Sequence, residues 1–261
     1  MFVKFASINR DTMLKEERFQ IILNQLGHEQ KVYLGHLSTL LNVSEDTVRR
    51  DIKELADQGL LKSVRGGAVP HSPGPHHFRD RMKYDNEQKQ IIATKTLPFL
   101  KDGQVVIFDG GTSALLIAQM LPKDLKLTVI TNSFPIASIL EEHEHVDVLF
   151  AGGRLLKDSF VTIGNDCIQF FKKFRADICL LGICSIHADL GVTGPDFEES
   201  EVKRTMIESS KEVIALATTE KLGTAEAYYV CPTERLSTII TDKEPESSAF
   251  DIYRKLGISM A

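Results

Sequence analysis

The chain has 261 residues, 43% hydrophobic and 26% charged, with a net charge of −5, an ordinary globular balance whose length suits one large or two smaller domains. No apolar run approaches the roughly 18 to 20 residues that cross a bilayer, and MFVKFASINRD lacks the apolar core of a signal peptide. A cytoplasmic protein without a membrane partner is therefore expected.

Acidity is unevenly spread. Residues 1–70 hold 10 Lys plus Arg against 9 Asp plus Glu, net +1, and residues 71–261 hold 21 against 27, net −6. A local basic surface is compatible with that balance. The four cysteines, Cys167, Cys179, Cys184 and Cys231, are widely spaced with no CxxC pair, which points to reduced thiols rather than zinc. His71, His76 and His77 sit in the Pro/Gly-rich VPHSPGPHH, read as linker rather than metal tract. No metal or cofactor is expected.

Residues 1–12 carry little pattern, and Met13 is a candidate start with a disordered extension before it. MLKEERFQIILNQL places Leu14, Phe19, Ile22, Leu23 and Leu26 at helical spacing, with Gly27 as its stop. A second helix is expected over 33–41, with Leu34, Leu37 and Leu40 or Leu41 inward. After the short LNVS comes SEDTVRRDIKELAD. Ser44 is its natural N-cap, and Val48, Ile52 and Leu55 form one apolar stripe. Arg49, Arg50 and Lys53 project from the opposite side. Two helices joined by so tight a turn form a helix-turn-helix, whose second helix enters the DNA major groove. LLKSVRGGAVP reads as a hairpin wing turning at Gly66 and Gly67, with Lys62 and Arg65 near phosphates.

The second domain is expected to follow a linker over 70–83 and to open with a polar helix near 84–100. Short apolar strands then alternate with helices: QVVIFDG, SALLIAQML, LTVITN, FPIASILEE, VDVLFAGG, IGNDCIQFFKKF, ADICLLGI, ESEVKRTMIESS, EVIALATT and STIITD, closed by a helix near 249–256. That rhythm calls for a parallel sheet covered on both faces. In such sheets ligands bind beyond the carboxyl ends of the strands. Asp109, Gly110, Gly111, Thr112 and Ser113 form the first such loop, with the glycines, helix N-terminus and hydroxyls suited to an anion, although a plain tight turn is the alternative. There is no Walker lysine or GxGxxG spacing, which disfavours ATP and dinucleotides. Thr131, Asn132 and Ser133, then Gly152, Gly153 and Arg154, end the next two strands and look convergent with the first loop. Helix capping could equally explain TNS, and a surface ion pair could explain Arg154.

Arg18, Ile22, Leu26, Ser44, Thr47, Val48, Arg49, Arg50, Asp51 and Ile52, followed by GLLKSVRGGA, resemble the N-terminal signature of DeoR-type bacterial transcriptional regulators. FDGGTS, TNS, AGGR, ADICLLGI, EESEVKR and TEKLG are similar in order and spacing to that family's sensor domain. The resemblance implies a winged helix-turn-helix over 13–69 and, over 84–261, an α/β Rossmann-like domain of the kind shared with ribose-5-phosphate isomerase and CoA transferases. It implies a carbohydrate-metabolism repressor, relieved when a phosphorylated sugar binds, that contacts double-stranded operator DNA as a homo-oligomer, dimer or tetramer. Ser44, Thr47, Arg49, Arg50, Lys53, Lys62 and Arg65 would meet DNA. Gly110, Gly111, Thr112 and Ser113 would hold the phosphate, with Asp109, Thr131, Asn132, Gly152, Gly153, Arg154, Glu199, Lys203 and Lys221 around the same pocket. One departure stands out: where the family usually reads Asp, Ser, Ser, Lys, this chain has Thr218, Thr219, Glu220, Lys221, so a sugar-binding carboxylate is missing or moved to Glu220. The competing expectation is a phosphosugar isomerase with an accessory DNA-binding domain. Glu199 is its candidate base, but no second carboxylate motif stands beside ADICLLGI.

Overall fold

In the computed structural model, which describes residues 13–29, 31–70, 72–75 and 77–261, Ser44 caps the helix its sequence implies. Its side chain accepts from Thr47 N–H, and the helix runs Glu45–Asp57. The chain divides into two compact units, 1–71 and 72–261. The expected extension over 1–12, and any part played by His71 or His76, lie outside the described residues.

The first unit contains, in order, α1 (Lys15–Glu29), β1 (Val32–Tyr33), α2 (Leu34–Leu41), α3 (Glu45–Asp57), β2 (Lys62–Val64) and β3 (Gly67–Val69). Val48, Ile52 and Leu55 are buried, as the helical spacing requires, and join Ile22, Leu26, Leu37, Leu41, Leu61 and Ala68 in one core. Each such aliphatic side chain contributes about 1.5–3 kcal/mol. Of the alternatives Leu40 and Leu41, Leu41 faces the core and Leu40 is exposed, and Leu14, placed at the same helical spacing as Phe19 and Ile22, is exposed. Gly27 does not stop α1, which continues to Glu29. A glycine inside a helix costs only about 0.5–1 kcal/mol, and the buried Leu26 anchors that turn. The wing forms as β2 and β3, but β3 also pairs with β1, giving the order β1-β3-β2. Gly67 permits this: a Cβ there would lie 1.8 Å from the Val32 carbonyl oxygen.

The second unit contains α4 (Phe78–Arg81), α5 (Asn86–Thr96), β4 (Val105–Phe108), α6 (Thr112–Gln119), β5 (Leu127–Thr131), α7 (Phe134–Leu140), β6 (Val146–Phe150), β7 (Arg154–Leu156), β8 (Val161–Ile163) and α8 (Asn165–Phe171). It continues with β9 (Ala176–Gly182), β10 (Ser185–His187), β11 (Gly191–Gly194), α9 (Phe197–Glu208), β12 (Ser210–Leu216), β13 (Tyr228–Cys231), β14 (Thr238–Ile240), α10 (Asp251–Lys255) and β15 (Ser259–Met260). Seven strands form a parallel sheet in the order β15-β14-β12-β9-β4-β5-β6. Alternation along each strand splits the core into two layers. Val106, Phe108, Leu180 and Ile214 pack with Ile92 of α5, Ile117 of α6 and Ile136 of α7. Ile107, Cys179, Leu181 and Val213 pack with Phe171 of α8, Met206 of α9 and Tyr253 of α10.

From β4 the chain builds outward through β5 and β6, then returns to lay β9 on the other side of β4. The crevice beyond β4 and β9 is thus the sheet's switch point, where open α/β sheets take ligands.

Within the segment expected to be a linker, 70–83, the helix α4 (Phe78–Arg81) belongs to the second unit. Phe78 is the reason: it is buried in the α5–α6 core, and its N–H donates to Asp158 C=O at 2.7 Å.

Candidate functional site

On the first unit, α3 is held by its back. Arg18 of α1 donates to both carboxylate oxygens of the buried Asp51, Nε to Oδ2 at 2.6 Å and Nη2 to Oδ1 at 3.0 Å. The opposite face carries exposed Arg49, Arg50 and Lys53. Arg49 is paired with Asp46 at 2.8 Å, whereas no ion pair within the described residues engages Arg50 or Lys53. Ser44 and Thr47 are occupied with each other, Oγ to Oγ1 at 3.0 Å, so their hydroxyls first serve the cap. A groove between α3 and the wing is lined by Glu45, Arg49, Ile52, Ser63 and Arg65. Arg65 is exposed at the wing tip and Lys62 is half-buried on β2.

On the second unit a cavity lies at the switch point, with about 820 Å³ of empty space including its open mouth. Gly110, Gly111, Thr112 and Ser113 line it, as do Glu199, Lys203 and Lys221. The first loop turns because Gly111 adopts φ +140°, a conformation that strains any other residue. A Cβ on Gly110 would lie 2.2 Å from Val161 Cγ1. The first intrahelical bond of α6 runs from Leu115 N–H to Gly111 C=O, so the N–H groups of Thr112, Ser113 and Ala114 precede the ladder at the helix's positive end.

Asp196 caps α9 by accepting from Glu199 N–H at 2.8 Å, and the next turn brings Glu199 and Lys203 to one buried face. Lys203 Nζ bonds Asp109 Oδ2 and donates to Gly182 C=O at 3.1 Å, while Glu199 Oε1 stands 3.6 Å away. Burial pushes Lys203 down, but the Asp109 and Glu199 carboxylates outweigh it and hold the ammonium above an ordinary lysine. Burial pushes Asp109 up against the pull of Lys203. Asp109 also accepts from Gly182 N–H at 2.8 Å. Its carboxylate is thus consumed in joining β4, β9 and α9 and does not line the cavity.

Other expected residues are also placed elsewhere. Thr131, Asn132, Gly152, Gly153 and Arg154 do not line this cavity. The cause is the β7–β8 hairpin, which covers the ends of β5 and β6. Asn132 Nδ2 donates to Thr162 C=O at 2.7 Å, and Thr162 N–H returns to Asn132 C=O at 2.9 Å. Gly153 backs onto Ile163, whose carbonyl oxygen a Cβ would approach to 2.6 Å. Arg154 is exposed and bonds Glu198. The hairpin instead sends Ser159 to the cavity, where its hydroxyl donates to Glu199 at 2.7 Å.

Sequence reasoning missed Arg81, Tyr84, Asp85 and Lys89, which line the cavity from α4, α5 and the turn between them. Their signal was the almost wholly polar run over 81–89 that follows Phe78, read as the end of a linker and the start of a solvated helix. Tyr84 donates to Glu220 at 2.7 Å, and Glu220 itself lines the cavity. Lys89 is only 3% exposed. It donates to Arg81 C=O at 2.6 Å and also to Tyr84 C=O, and burial, reinforced by Lys221, lowers its pKa to about 8. Burial likewise lowers Lys221, whose ammonium makes no hydrogen bond or ion pair with the described residues.

A winged helix-turn-helix with a cationic outer face, joined to a parallel α/β unit with a polar cavity at its switch point, defines a ligand-sensing DNA-binding regulator. The family model described as "DeoR-like helix-turn-helix domain" matches residues 18–73, and that described as "DeoR C terminal sensor domain" matches residues 85–243. The chain belongs to the DeoR family of transcriptional regulators. It is 32% identical over 252 residues to the HTH-type transcriptional repressor GlcR of Bacillus subtilis, covering 95% of this chain and 96% of that one. It is 30% identical over 250 residues to the HTH-type transcriptional regulator GlpR of Haloferax volcanii, covering 95% and 98%. It is 29% identical over 241 residues to the glycerol-3-phosphate regulon repressor of Escherichia coli, covering 92% and 96%. Among solved structures it aligns with ribose 5-phosphate isomerase A of Methanocaldococcus jannaschii at 16% identity and a TM-score of 0.39, over 53% and 55% of the chains.

Proposed function

We propose that this regulator is a repressor of carbohydrate-metabolism genes whose hold on operator DNA is weakened when a phosphorylated sugar fills the switch-point cavity. What carries this is the meeting, in one cavity, of the open N-terminus of α6 with Lys221, an ammonium left without an ionic partner. Backbone N–H donors and an unneutralised lysine form an anion site. Ser159, Glu199 and Glu220 supply acceptors for hydroxyl groups around it. The names of the relatives, a glycerol-3-phosphate regulon repressor among them, favour the same ligand class.

The chain acts by binding rather than by catalysis. An isomerase needs a free carboxylate base beside the substrate C–H, and Glu199 is engaged by Ser159 and Lys203. Arg50, Lys53, Lys62 and Arg65 serve as phosphate contacts and Arg49 as a candidate base reader, with Ser44 and Thr47 fixing the N-terminus of α3 in the groove. One winged unit offers little surface, so a homo-oligomer on a two-fold site is the working form. Light scattering on the eluted protein checks this; a monomer at micromolar concentration contradicts it.

A thermal-shift screen of phosphorylated sugars against the full chain and Lys221→Ala tests the effector. Stabilisation of the wild type by one sugar phosphate, absent in the variant, is the expected result. Equal stabilisation of both proteins removes the cavity from the account.

A further inference from the structure

Residues 74–84 fall between the two family matches, which end at 73 and begin at 85, and neither description assigns them a role. This stretch nevertheless supplies part of the cavity wall: Gly74, Pro75, Arg81 and Tyr84 all line it. Most of the cavity's charges are already committed. Lys203 serves Asp109, Lys89 serves two carbonyls, and Glu220 accepts from Tyr84. Arg81 is different. Among the described residues its buried Nε has no hydrogen-bond partner, a costly state for a cationic donor.

Its surroundings hold it ready. The guanidinium stands over the Phe78 ring at 6.0 Å, and Phe78 is anchored in the core. The buried Lys89 ammonium clamps the carbonyls of Arg81 and Tyr84. From Tyr84 the contacts continue to Glu220, the neighbour of Lys221. A guanidinium presents donors in a planar fork matched to phosphate oxygens.

We propose that Arg81 is an anion ligand of this cavity, gripping the effector's phosphate together with Lys221 and the α6 N-terminus. Occupancy is thereby felt in the segment that leads directly to the DNA-binding unit. The inference rests on the sugar-phosphate reading above and adds to it the residue by which the connecting segment takes part.

The test uses the full chain, Arg81→Met and Arg81→Lys, with inorganic phosphate, glucose 6-phosphate and glycerol 3-phosphate as probes and glucose as the uncharged control. Calorimetry gives affinity, and hydrogen exchange follows the amides of Asp80, Arg81, Met82 and Lys83, which bond within α4. Wild type is expected to bind at least one phosphorylated probe and not glucose. Arg81→Met should bind it about 10- to 100-fold more weakly, the loss of a charge-assisted bond, and Arg81→Lys should fall between. The α4 amides should slow several-fold with probe in wild type and not in Arg81→Met. Should Arg81→Met fail to fold, Arg81→Lys decides, because it keeps the charge and loses the fork. A variant that binds like wild type, or α4 amides indifferent to the probe, overturns this inference and leaves the sugar-phosphate reading standing. Failure of every phosphorylated probe to bind wild type overturns both.

Discussion

Arg18 and Asp51, 33 residues apart, are joined by two hydrogen bonds of 2.6 and 3.0 Å that tie the back of α3 to α1. Asp51 is 3% exposed, so this pair sets the angle at which the cationic face of α3 is presented. Removing one partner strands the other's charge in a largely buried site, at a cost of about 3 kcal/mol. Arg18→Met and Asp51→Leu should each lower the denaturation midpoint of the first unit, followed by helical circular dichroism. The double variant should be less destabilised than either single one, because it leaves no orphaned charge. Additive losses would mean that the pair does not interact.

DNA affinity should depend unequally on the cations of α3 and the wing. Arg50, Lys53 and Arg65 are exposed, and replacing each with alanine should weaken binding on all duplexes and flatten the salt dependence by about 0.9 for each phosphate no longer neutralised. Fluorescence anisotropy across a salt series, on a duplex recovered by in-vitro selection, measures both quantities. An unchanged slope in all three variants would remove this face from the interface.

Lys221 should stabilise the liganded protein and destabilise the free one. Its folded pKa lies below the ordinary lysine value because of burial, so at neutral pH the free fold bears the cost of its charge. Lys221→Met is expected to raise the melting temperature without ligand while abolishing the shift caused by a sugar phosphate. A variant that melts below wild type without ligand would contradict this.

The pH dependence has a definite sign. Lys89, with a folded pKa of about 8 and facing Arg81, Tyr84, Asp85, Glu220 and Lys221, binds a proton less tightly in the fold than when unfolded. Its destabilisation is therefore complete below pH 8 and is relieved as pH rises from about 8 toward the unfolded lysine value of about 10.4. Stability of the unliganded protein should rise over that window, and phosphate affinity should fall as the cavity loses positive charge. Lys89→Met should remove most of the stability slope; a slope unchanged in that variant would assign it to other groups.

Gly110→Ala should harm the site through the hairpin rather than through the loop itself, since the new Cβ would meet Val161 at 2.2 Å. Overpacking of this kind costs about 1–3 kcal/mol. Gly110→Ala combined with Val161→Ala should recover stability; no recovery would place the strain elsewhere.

The helix-turn-helix was legible because its signals are local: the Ser44 cap and the Val48, Ile52, Leu55 stripe lie within a dozen residues. The parallel sheet was legible for the same reason, each strand being a short apolar run. What stayed hidden depends on contacts between distant residues. No local pattern announces the pairing of Val32 with Ala68, and none reports that the β7–β8 hairpin takes the space into which Asn132 and Gly153 would otherwise open. Asp109 reads as a ligand contact until Lys203, 94 residues later, is seen to bond it. Arg81 was obscured because Pro and Gly nearby suggested a linker, whereas the burial of Phe78 ties that stretch to the core; Lys89 was obscured because it lay in a helix read only as polar.

The central claim, that cavity occupancy sets DNA affinity, is tested most directly by titrating the protein–duplex complex with phosphorylated sugars while following anisotropy. One sugar phosphate should weaken DNA binding about 5- to 150-fold, the usual range of coupling between sites, with no effect from its unphosphorylated parent and no effect on Lys221→Ala. A sugar phosphate that binds the cavity and leaves DNA affinity unchanged would contradict it.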